Sequence, residues 1–123
     1  MAGPRPWVAF LAGLVCHAVL DMVPHHDYRK VGQALLDLAL ALTLALLLFR
    51  GPAAWARWWG GLGGALPDLE VAIGHLVLST GRPWRWSRFP THTGALPHPR
   101  WPLPQGLWSQ LVPAILAILW LAR

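Results

Sequence analysis

Four glycines and a proline stand together at Gly60, Gly61, Gly63, Gly64 and Pro67, inside an apolar stretch and just before Asp68 and Glu70. No other part of the chain constrains the fold as strongly. Glycine carries no side chain, so a second helix or a ligand can approach the backbone closely. Proline lacks an N–H and crowds the preceding turn, so a helix through this stretch is expected to break near Pro67 and restart there. Asp68 and Glu70 then fall in a first turn, where negative charge suits the helix dipole. In water, capping alone accounts for two such acids. Inside lipid, ionisable groups are costly and mark function.

Composition decides between these settings in favour of lipid. Apolar residues make up 55% of the 123 positions and charged residues 12%, about half the usual charged share. A globule of this size cannot bury that much apolar surface. The nine tryptophans suit a membrane interface. The predicted fold is all-α, a single transmembrane helical domain over 1–123 built as an integral membrane bundle of about four helices. Its spans run from Trp7 to about Val23, Val31 to Phe49, Ala53 to Ser79 and Leu107 to Ala122, with a long irregular loop at 80–105. The lone Cys16 excludes an internal disulfide.

The net charge of +5 is spread along the edges of the apolar runs and not gathered on one face. That distribution argues against a nucleic-acid partner and for membrane lipids with anionic headgroups. Assembly with further copies is left open. Loops 24–30 and 80–105 carry more basic residues than the side holding the termini, which places them in the cytoplasm.

The polar residues inside the apolar runs are the candidates for chemistry. His17 and Asp21 are four apart, so a helix projects both from one face, a spacing suited to gripping one ion. A His–Asp hydrogen bond is the simpler alternative. His25, His26 and Asp27 follow as a His-rich tract beside an acid, which strengthens the case for a metal, with a solvated loop as the simpler alternative. Asp37 is the only charge between Val31 and Phe49, where lipid exposure costs about 2.5–3.5 kcal/mol. Asp68 and His75 are seven apart, about 10 Å of rise, too far to share one ion. Arg88-Phe-Pro-Thr-His92-Thr-Gly94 and Pro97-His98-Pro99 present further imidazoles from the loop. Histidine with carboxylate suits a divalent ion, Zn²⁺, Mn²⁺ or Fe²⁺, among which the residues do not choose.

His17-Ala-Val-Leu-Asp21, Gly64-Ala-Leu-Pro67-Asp68-Leu-Glu70 and Arg88-Phe-Pro-Thr-His92-Thr-Gly94 together resemble the small bacterial inner-membrane proteins described as metal-dependent hydrolase-like (YdjM type). The resemblance covers most of residues 13–98. It departs from the family in the shorter chain and in Arg88-Phe-Pro, where a basic-His element is expected before Thr91. It implies a multi-pass protein of the bacterial cytoplasmic (inner) membrane. It also implies metal ligands at His17, Asp21, Asp68, Glu70 and His92.

Three functions follow as expectations. The first is a membrane-embedded metal-dependent hydrolase acting on phosphoesters or lipids, with Asp37 or His75 as the catalytic base. The second is a non-catalytic scaffold whose polar seam holds helices together. The third, handicapped by the small number of helices, is a proton or metal transporter.

Overall fold

The computed structural model describes residues 5–26, 31–77 and 88–122. Four helices follow in order: α1 Pro6–Asp21, α2 Val31–Leu48, α3 Ala54–Val77 and α4 Gln105–Leu121. Helix α1 starts where Arg5 is extended and Pro6 takes the first helical position, which wastes no hydrogen bond. It ends in a turn ahead of Pro24. Helix α2 closes at Gly51, whose φ of +77° is open to glycine at little cost. Arg57 Nη1 reaches back from α3 to the Leu48 carbonyl at 2.9 Å, putting a cation on the orphan carbonyls and negative dipole end of α2.

The packing that organises the molecule is α1 against α3, and it runs through glycine. A Cβ on Gly13 would lie 2.0 Å from the Gly60 carbonyl oxygen, and one on Gly63 would lie 2.1 Å from the Phe10 carbonyl oxygen. The two backbones are therefore in direct contact, which only residues without side chains permit. Phe10 and Trp59 close the seam edge-on, with ring centroids 6.4 Å apart.

Helix α3 is continuous through Pro67, so the expected break is not there. The residue four before Pro67 is Gly63, and the turn that a proline ring normally crowds has no side chain at 60, 61, 63 or 64 to add to the strain.

The expected integral membrane bundle is also overturned. Among the described residues no helix is long and apolar enough to cross a membrane. At about 1.5 Å per residue, the 16 residues of α1 and 17 of α4 fall short of a hydrocarbon core of about 30 Å. The 18 residues of α2 include Asp37. Helix α3 has the length, with 24 residues, but carries Arg57, Asp68 and Glu70. The multi-pass inner-membrane location and the cytoplasmic assignment of the loops lose their basis with it. Among the described residues Pro67 is the one buried apolar side chain larger than alanine, and those on the outer faces, such as Leu36 and Trp120, are well exposed.

The chain after α1 is held to the chain before α4. His25 N–H donates to the Pro99 carbonyl at 3.3 Å and its own carbonyl accepts from Trp101 N–H at 2.8 Å, a single parallel bridge between His25 and Arg100. Ser109 Oγ donates to the Pro24 carbonyl, and Gln110 Nε2 to that of His26 at 3.1 Å. These contacts bring the end of α1, the segment 88–104 and the start of α4 to one end of the molecule.

Candidate metal centre

Asp21 and Thr91 are the only buried polar side chains among the described residues, at 8% and 3% exposure. Around the Asp21 carboxylate stand three histidines from two parts of the chain. Measured to Asp21 Oδ2, His17 Nε2 is at 3.2 Å, His92 Nε2 at 3.4 Å and His98 Nδ1 at 3.5 Å. Thr91 Oγ1 donates to the same oxygen at 2.5 Å. The rings pack edge-on, with centroids 5.9 Å apart for both His17–His92 and His92–His98. Phe89 covers His17, centroid to centroid 5.2 Å.

Each partner is placed by local structure. The helical period puts His17 one turn before Asp21 on the same face of α1. His92 follows a short turn in which its own N–H and that of Thr93 both donate to the Phe89 carbonyl at 3.0 Å. Glu70 anchors that turn from α3, its carboxylate accepting the backbone N–H groups of Arg88 and Phe89.

The electrostatics agree with an anion surrounded by donors. Burial works to raise the Asp21 pKa, but His17, His92 and Thr91 outweigh it and hold the carboxyl well below the usual carboxylate range. Burial works to lower the His17 pKa. The neighbouring Asp21, the charge of Asp68 and the Gly64 backbone outweigh it, so His17 is raised.

The donor atoms of His17, Asp21 and His92 lie within 4.8 Å of one another and form a group that could hold a metal ion. One detail points to an ion. His17 Nε2 is buried and makes no well-aligned hydrogen bond among the described residues, although buried ring nitrogens are normally satisfied. The 3.2 and 3.4 Å separations from Asp21 Oδ2 match the roughly 3.3–3.4 Å between ligand atoms of a tetrahedral ion with bonds of about 2.0–2.1 Å, and they equally match hydrogen bonds.

Of the residues singled out in the sequence, His17, Asp21 and His92 are brought together. Asp68 Oδ1 stands 3.8 Å from His17 Nε2, with a side chain 73% exposed, at the rim of the group. Glu70 faces the Arg88–Phe89 backbone and not the donor atoms. Asp37 is exposed on α2, and the side chain of His75 lies outside the described residues. So do Asp27, Arg82 and Arg85. Sequence reasoning did not select Thr91, His98 or His25 for the site. The signal for Thr91 was its place beside His92, and for His98 its position between two prolines six residues on.

No family model, curated protein or solved structure matches the chain.

Proposed function

We propose that this protein is a metal-dependent hydrolase whose ion is held by His17, Asp21 and His92. One observation carries the reading: two imidazole nitrogens and one buried carboxylate oxygen converge within 3.2–3.4 Å, and His17 Nε2 makes no well-aligned hydrogen bond. Three protein ligands with a coordination position left over is the pattern of catalytic, not structural, zinc sites. The motif resemblance to the YdjM-type hydrolase-like proteins points the same way. A divalent ion held by these residues would supply Lewis acidity and would lower the pKa of a coordinated water. Thr91 and the Gly64 backbone orient Asp21 and His17, and Asp68 Oδ1, at the solvent-facing rim, is the carboxylate placed to take up a proton.

A second reading, a non-catalytic clasp, draws on the burial of Asp21 and Thr91 where α1 meets the segment 88–104. Elemental analysis and Zn²⁺ or Mn²⁺ titration of the purified full chain, followed by chelator-sensitive hydrolysis of nitrophenyl phosphoesters and carboxyesters, separate the two. The hydrolase reading expects bound metal that is lost in His92→Ala. It also expects turnover that falls at least 100-fold in Asp68→Asn while metal content is kept. A protein that takes up no metal and is not stabilised by it overturns this reading and leaves the clasp.

A further inference from the structure

The Asp21 carboxylate belongs to a second set of donors. Asp21, His25 and His98 also lie with their ligand atoms within 4.8 Å of one another. The two sets share only Asp21: His17 and His92 on one side, His25 and His98 on the other. We propose that Asp21 bridges two metal positions, making the centre dinuclear. This inference rests on the hydrolase reading and extends it.

The second position is built from rigid parts. His25 Nδ1 lies 2.8 Å from the Val23 carbonyl. A carbonyl only accepts, so Nδ1 carries the proton and Nε2 is the ring nitrogen with ligand character. Orientation of a ligating imidazole by a backbone carbonyl is the usual arrangement in metal sites. The backbone of His25 is pinned on both sides by Pro99 and Trp101, which fixes it against the segment that carries His98. The two rings meet edge-on at 4.7 Å. Gly106 backs this junction closely, since a Cβ there would lie 2.7 Å from His26 N and 2.8 Å from the Trp101 carbonyl oxygen.

Paired ions in hydrolytic centres sit about 3.5–4 Å apart and clamp the attacking and leaving oxygens of one displacement. A carboxylate shared between two donor sets is the natural bridge at that spacing. The charge balance also names a substrate class. Two dications would face one buried carboxylate, Asp21, and the exposed Asp68, with neutral imidazoles completing the set. The excess positive charge is satisfied by an anionic substrate, so phosphoesters are favoured over neutral carboxyesters.

Mn²⁺ titration of the chelator-stripped full chain, read by electron paramagnetic resonance and elemental analysis, tests this. Two ions per chain with an exchange-coupled multiline spectrum are expected. His98→Gln should saturate at one ion and give an uncoupled six-line spectrum, with circular dichroism confirming the fold. Saturation of the unmodified chain at one ion, or two ions without coupling, overturns the bridge while leaving the mononuclear hydrolase standing. Failure to bind any Mn²⁺ or Zn²⁺ overturns both. The wild-type spectrum decides even if the variant does not fold.

Discussion

Thr91 donates its hydroxyl to the Asp21 carboxylate at 2.5 Å, across 70 positions of sequence. Hydrogen bonds to a charged acceptor contribute about 1.5–3 kcal/mol, and a buried acceptor stripped of its donor incurs its desolvation cost. Thr91→Val keeps the shape and should destabilise the protein by that amount in a denaturant midpoint. Thr93→Val removes only an exposed hydroxyl contact to the Pro90 carbonyl and should stay within about 0.5 kcal/mol. Equal midpoints for the two variants would refute the role given to Thr91.

The glycine seam makes a sharper distinction. Gly13→Ala and Gly63→Ala place a methyl group against a carbonyl oxygen at 2.0 and 2.1 Å. Overpacking costs about 1–3 kcal/mol, occasionally more, and here it also separates His17 from Asp68. Gly60→Ala meets only the Ala9 carbonyl oxygen at an ordinary 3.5 Å and gains helix propensity of roughly 0.5–1 kcal/mol. Thermal melts should therefore order the variants Gly60→Ala, wild type, then Gly13→Ala and Gly63→Ala.

Glu70 acts on the metal through the loop. Its carboxylate holds the Arg88 and Phe89 N–H groups, and His92 follows in the same turn. Loss of an outer partner typically weakens metal affinity 10–100-fold. Glu70→Ala should weaken Zn²⁺ binding within that range, and Glu70→Gln, which retains one acceptor oxygen, by less. Calorimetric titration gives the comparison. A Glu70→Ala chain that binds no Zn²⁺ at all would instead make Glu70 a ligand.

Proton linkage predicts opposite pH responses with and without metal. The Asp21 pKa is lowered from 3.8, so its stabilisation is present above that value and is lost as pH falls through the range below it. The His17 pKa is raised from 6.5, so its stabilisation is complete below 6.5 and fades as pH rises through the folded-state value. The metal-free protein should melt highest between about pH 4 and 6.5 and lower above it. An ion needs deprotonated imidazoles, so added Zn²⁺ should move the optimum upward, by about 2.7 kcal/mol of stabilisation at 100 times Kd. A metal-free melting temperature that climbs steadily from pH 5 to 8 would contradict the assignment of His17.

The helices were legible because their ends are punctuated. Pro24, Gly51-Pro52 and the proline-rich stretch before Gln105 bound the segments within a few residues of where they lie. The His17–Asp21 pair was legible because a helical period alone brings it together. Pro67 was misjudged because its effect depends on the residue four before it. Gly63 belongs to that turn, but its closest contact is with Phe10 on another helix. The glycines announced a close approach without naming Gly13 as the partner, since contact between distant segments leaves no local periodicity. The meeting of His25 with His98 stayed hidden for the same reason. Their meeting depends on one parallel bridge, and no spacing rule encodes it. The lipid setting was inferred from overall apolar content, which counts residues without regard to helix length.

The backbone contact between α1 and α3 has a practical consequence. Because Gly13 and Gly63 set the distance between the helices through main-chain atoms, the outward side chains do not determine where His17 and Asp68 stand. Val15, Val19 and Leu62 are exposed, and exchanging them for Glu, Lys or Gln should leave the donor spacing unchanged. The two helices thus amount to a transplantable frame, one that can be re-surfaced for a new solvent while its imidazole and carboxylates keep their register.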